Sequence, residues 1–203
     1  MFRNLIYLLF FLFSAVVVNT FHSCSHNKTV LVDNIGFDSI PIEREIIDSF
    51  LDSSDSTLGI RIYNAKRRRS SVVGLILVAI DQQGRELNDG GTDNYLFMDI
   101  ENNRNERINR AVAKELAKNI FRDTTISNLI TEFKKSDFQT SWRNQSPTAI
   151  RVVPVEYESG GLNYPSARMV FRIPNVGSDS FISSTPCPPY CPTPIDILLY
   201  NPL

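Results

Sequence analysis

The sequence predicts an α+β fold: a single mixed, mainly antiparallel sheet packed by about three helices, with a C-terminal extended tail. Three observations carry that expectation. Val72 to Ile80 contains no polar side chain, which suits a central strand buried on both faces. Asn103 to Arg122 places Ile108, Ala111, Val112, Leu116, Ile120 and Phe121 on one side of a helix. Ile150 to Tyr157 and Arg168 to Ile173 are two β-rich runs that face each other across Ser159-Gly160-Gly161, as in a hairpin. Strands and helices fall in separate blocks, so regular βαβ alternation is not expected.

Taken in order, Thr29 to Val32 reads as a short first strand after a tether beginning at Cys24. Asp38-Ser39 followed by Pro41 marks a helix start, because proline is tolerated in a first turn. Ile42, Ile46, Ile47, Phe50 and Leu51 give that helix one apolar face, and Ser53-Ser54-Asp55-Ser56 ends it. Leu58 to Ala65 alternates Ile60 and Ile62 with Arg61 and Tyr63, as in a half-buried strand. Asp81 to Arg85 is a turn, Asn88 to Asp93 a Gly/Asp-rich loop, and Tyr95 to Ile100 another strand. Thr124 or Thr125 is placed to cap a helix carrying Ile126, Leu129, Ile130 and Phe133. Ser136 to Pro147 reads as a polar loop around Trp142. Pro154 requires its strand to lie at an edge or carry a bulge. From Pro174 onward proline, serine and glycine dominate, which predicts an extended tail over 174–203. The core domain is therefore expected over 35–173.

The first 24 residues carry a different signal. Met1 to Asn4 holds one charge, Arg3, and Leu5 to Val18 is a 14-residue apolar run. That length falls within the roughly 7–15 residues of a signal-peptide core and short of the roughly 17–25 needed for a membrane-spanning helix. Cys24 follows six residues later, directly after Ser23. Basic start, apolar run, small residue and cysteine together resemble the signal of a bacterial lipoprotein, with Phe21 and His22 departing from the usual residues of that motif. The resemblance covers residues 1–24 only. It implies export, cleavage before Cys24, a lipid such as palmitate on Cys24, and a place in the cell envelope, on an outer membrane facing periplasm or surface. The alternative is an ordinary secretory signal cut after Thr20.

Composition bounds the rest. Removing residues 1–23 leaves 180 residues, enough for one domain with a sizeable core. Hydrophobic content of 42% and charged content of 21% describe a globular chain. The net charge of −1 gives no global basic character, so nucleic acid is not an expected partner. With Cys24 assigned to lipid, Cys187 and Cys191 form an even pair for a disulfide in an oxidising compartment. After cleavage His26 is the sole histidine, which removes Ser-His-Asp and Cys-His catalysis and histidine-based zinc sites. No catalytic residues, metal or cofactor are expected.

Four groups remain as candidates. Asp81, Glu86, Asp89, Asp93, Asp99 and Glu101 cluster in sequence and could supply a carboxylate pair for hydrolysis or a calcium site. Lys66, Arg67, Arg68 and Arg69 are consecutive cations at a strand connection, suited to phosphate or acidic groups. Trp142, Tyr157, Tyr164 and Tyr190 offer aromatic contact area near loops. Ile195, Ile197, Leu198, Leu199 and Tyr200 form a strand-like end after a stiff proline spacer, fit to dock on a neighbour's sheet edge. The expected function is a non-enzymatic exported lipoprotein: a structural or assembly component of an envelope protein complex, held to the membrane through its lipid anchor. The alternatives are an anchored binding module for a glycan, peptide or anionic lipid, and a carboxylate-dependent hydrolase.

Overall fold

A computed structural model describes residues 35–87, 94–123, 125–126, 128–142, 146–159, 161–174 and 178–186. Cys24, the Thr29 to Val32 strand, Asp89, Asp93, Cys187, Tyr190, Cys191 and the Ile195 to Tyr200 segment lie outside those residues.

The chain is α+β, with two antiparallel sheets where one was expected. Strand β1 (Ile40–Pro41) is followed by α1 (Arg44–Leu51), β2 (Thr57–Ala65), β3 (Gly74–Asp81), β4 (Tyr95–Asp99) and β5 (Arg104–Ile108). Helix α2 (Arg110–Phe121), β6 (Ile130–Lys134) and α3 (Lys135–Trp142) come next. Strands β7 (Thr148–Ser159), β8 (Leu162–Arg172), β9 (Asp179–Ser183) and β10 (Thr185–Pro186) complete the described chain. The larger sheet has the order β10-β6-β2-β3-β4-β5 and the smaller the order β1-β7-β8-β9.

The larger sheet is covered on both faces, and this explains its composition. Ile60, Ile62, Leu75, Leu77, Leu96 and Met98 face a core shared with α1, α3 and the smaller sheet. Tyr63, Ala65, Ile76, Val78, Tyr95 and Phe97 face a second core under α2, which contributes Ala113, Leu116 and Ala117. Every residue of β3 is buried, as its unbroken apolar run requires. Strand β2 is also buried on both faces rather than half-exposed, so Arg61 and Tyr63 lie inside. A chain of tilted and edge-on rings, Phe133–Phe138–Trp142–Phe171, joins α3 to both sheets.

Five expected elements differ. The first helix starts at Arg44, because Ile40 and Pro41 pair with Val152 and Arg151 instead. Arg104 to Ile108 forms β5 beside β4, and Asn109 then caps a shorter helix by accepting the Val112 N–H at 3.0 Å. Ile130 to Lys134 pairs with β2 as a strand, where a capped helix was expected, and Lys135 to Trp142 is a helix, where a loop was expected. Beyond Pro174 the chain contributes β9 to the smaller sheet and β10 to the larger, so the expected tail is partly folded. Ser184 sits between those two strands, its Oγ donating to the Ala167 carbonyl at 2.6 Å and bonding Ser166 and Thr131.

Candidate functional site

The deepest chemistry in the molecule lies on the α2 side of the larger sheet. Arg61 and Glu132 stand opposite each other in the β2–β6 register, where side chains of opposite charge meet across strands. Arg61 Nε donates to Glu132 Oε1 at 2.8 Å and Nη2 donates to the same oxygen at 2.6 Å. The turn after β3 supplies the second carboxylate. Asp81 Oδ1 accepts from the Gln83 and Arg85 N–H groups at 2.8 and 2.9 Å, which folds the chain back so that Glu86 bridges to Ile80. The same turn brings the Gly84 carbonyl 2.5 Å from Arg61 Nη2.

Glu86 is fully buried and multiply held. Its Oε1 accepts from the Tyr63 hydroxyl and, at 3.4 Å, from Arg61 Nη1. Its Oε2 accepts from the Tyr95 hydroxyl at 2.5 Å and lies 3.9 Å from Arg110, the first residue of α2. Two cations thus face two carboxylates, which offsets the desolvation each buried charge suffers. Burial works against the charge on Arg61, but Tyr63, Glu132 and Glu86 overcome it and hold the guanidinium more firmly protonated than an ordinary arginine. Burial, then the Glu86 carboxylate, pushes the Tyr95 hydroxyl far above the usual tyrosine range. This network holds β2, β3, β4, β6 and α2 together, and its polar atoms are turned to one another.

Of the acidic residues that cluster in sequence, the described Asp81, Glu86 and Asp99 have separate partners. Asp81 belongs to the turn, with Arg85 Nε 2.8 Å away, and Asp99 binds Arg67 and Asn102. For both, burial pushes the carboxyl up, and the hydrogen bonds outweigh it and hold the carboxyl below the usual aspartate range. Glu86 is part of the network above. No pair placed for hydrolysis or calcium forms from Asp81, Glu86 and Asp99. Among the described residues no group of three or more histidine, cysteine or acidic side chains is placed to hold a metal. Trp142 is buried against Phe138 and Phe171 rather than offered as a contact surface.

The basic run divides in two. Lys66 is ion-paired with Asp123 across the end of α2, and Asn119 Nδ2 donates to the Lys66 carbonyl at 3.0 Å. Arg67 is claimed by Asp99 at 2.7 Å and Glu106 at 2.8 Å, and its guanidinium lies 5.4 Å from the Phe97 ring centre. Arg68 and Arg69 are exposed at the tip of a turn closed by Ser70 N–H to the Arg67 carbonyl at 3.1 Å. Arg69 adopts the left-handed conformation, φ 72°, a position where glycine is the usual residue. Both arginines open onto a 580 Å³ cleft shared with Arg122, Glu115 and Asn119.

A second surface feature is the outer edge of β7. Strand β1 covers it only at Arg151 and Val152. The Ile42 N–H bond to the Ile150 carbonyl, 3.0 Å, directs the backbone groups of even-numbered β7 residues toward that edge. Pro154 has the same parity, so its missing N–H faces outward, as the edge rule requires. Beyond it, no described strand covers Glu156 or Glu158. A 660 Å³ groove runs alongside, lined by Ile35, Phe37, Ile126, Pro154, Val155 and Glu156 among others. Gly36 shapes its floor: its φ is +86°, and a Cβ there would lie 2.5 Å from Val73 Cγ2.

Sequence reasoning found the basic run and the edge strand. It missed the Arg61 network, because the alternation in β2 assigns Arg61 and Tyr63 to solvent when only one face is assumed covered. No protein-family model, curated protein or solved structure gives a significant match to this chain.

Proposed function

We propose that this chain is an exported, lipid-tethered protein of the cell envelope that joins a protein assembly and catalyses no reaction of its own. The observation that carries the assembly reading is the outer edge of β7 with its adjoining groove. Such an edge takes an added strand through main-chain hydrogen bonds, and the groove selects the side chains of that strand. The buried titratable groups support binding over catalysis, since Glu86, Arg61 and Glu132 are turned to one another. The tether reading rests on Arg3, the Leu5 to Val18 run and Cys24.

Two measurements test this. A photo-crosslinker in place of Glu156 should join the native chain to another protein when it is extracted in mild detergent. Crosslinks only to residues 24–33 of the same chain would mean the edge is closed internally, and the assembly reading would fall. Palmitate labelling of the full chain should be lost in Cys24→Ala; labelling that survives the substitution overturns lipidation at that residue.

A further inference from the structure

We infer that the Arg68–Arg69 turn, together with the end of α2, seats the domain against the phosphate headgroups of the membrane to which it is tethered. The inference rests on the tether reading above and adds to it a second point of attachment.

The first observation is charge. Around the cleft, Lys66 is neutralised by Asp123 and Arg122 by Glu115 at 2.8 Å. Arg68 and Arg69 then remain as a surplus of two positive charges. Both guanidinium groups stand at the apex of a tight turn, and arginine matches phosphate geometry with paired N–H donors. Arg69 takes the left-handed conformation, φ 72°, which glycine adopts more readily.

The second observation is position. The described chain begins at Ile35, which lines the groove beside β7 together with Lys66 and Ser71. These are residues of the same connection that carries Arg68 and Arg69, and Lys66 borders both clefts. Residues 24–34 span at most roughly 35–40 Å when extended. A lipid on Cys24 would therefore keep Ile35, and the connection beside it, within roughly 40 Å of the bilayer surface.

The third observation is apolar exposure at neighbouring positions of the chain. Phe121, the residue before Arg122, is 52% exposed, and Val72, three residues after Arg69, is 36% exposed. Cations beside exposed apolar side chains are the composition of a surface that rests at the headgroup boundary.

The test uses residues 24–203 carrying Cys24→Ser, so that no lipid contributes. Co-sedimentation is measured with vesicles of phosphatidylcholine alone and of phosphatidylcholine mixed with phosphatidylglycerol. The protein should bind the anionic vesicles, lose binding as salt is raised, and lose about thirtyfold in affinity in Arg68→Ser/Arg69→Ser. Both side chains are exposed, so the double variant should keep the parent's urea midpoint. Equal binding to both vesicle types, or an unchanged affinity in the double variant, overturns the inference. So does tight binding of inorganic phosphate that abolishes vesicle binding, which would mark a free-anion site. Palmitate labelling at Cys24 reports the tether separately: a labelled chain with silent arginines sinks this inference alone, and an unlabelled chain with active arginines sinks the tether alone.

Discussion

Arg61→Met removes the cation at the centre of the buried network while keeping most of its volume. The guanidinium makes its closest contacts with Glu132 at 2.6 Å, Gly84 at 2.5 Å and Glu86 at 3.4 Å. Without it, two carboxylates share the interior with Arg110 alone, at 3.9 Å from Glu86. Breaking a buried pair from one side costs about 3–5 kcal/mol, because the remaining charge is left desolvated. Against a total stability of roughly 5–15 kcal/mol, that loss leaves a marginal fold. Urea unfolding at neutral pH reads it out, with Trp142 as the single tryptophan and far-UV circular dichroism as a second probe. Adding Glu132→Gln to Arg61→Met should restore part of the loss, with a coupling of about 1–3 kcal/mol. A single-variant loss under about 1 kcal/mol, the value of a surface ion pair, with no coupling, would refute the claim that this network holds the sheet.

Three further outcomes are expected. Asp123 bonds first to Lys66 and then to Thr125, which hold its carboxyl at about 2 against an ordinary 3.8. Its contribution is therefore complete above pH about 4 and disappears as pH falls toward 2, so the urea midpoint of Asp123→Asn should depend less on pH across that window. Trp142→Ala removes the middle of the ring chain between Phe138 and Phe171 and should cost about 3–5 kcal/mol by urea unfolding; a smaller loss would place those rings outside the core. Gly74→Ala puts a methyl 2.2 Å from the Met98 carbonyl oxygen and should cost about 1–3 kcal/mol by thermal unfolding, whereas an unchanged melting temperature would mean β3 and β4 can part freely there.

The most legible elements were those whose burial is complete or whose turn chemistry is local. Gly74 to Ile80 has no exposed face to confuse its period, and Ser159-Gly160-Gly161 marks its hairpin by composition alone. Arg104 to Ile108 was hidden because its side chains are largely exposed, and its apolar end, Ile108, continues into a genuine helix stripe. Ile130 to Lys134 was read as a helix because Ile126, Leu129, Ile130 and Phe133 keep helical spacing, while its pairing with β2 is set by residues some seventy positions away. The same distance hid the site. Nothing near Arg61 in the chain announces Glu132 or Glu86, and a lone arginine between isoleucines reads as solvent-facing until the second layer is known. The basic run was legible as charge, but Asp99, Glu106 and Asp123, which neutralise its first half, reach it only through the fold.

Ser184 and its two flanking strands set a timetable for the chain. Strand β9 closes one edge of the smaller sheet and β10 one edge of the larger, and Ser184 links them through Ala167, Ser166 and Thr131. Strand β1 likewise waits for β7, more than a hundred residues downstream. Neither sheet has its full set of strands in a fragment that stops short of β9 and β10. A chain exported as proposed above is served by a topology in which both sheets stay open until β9 and β10 have been made.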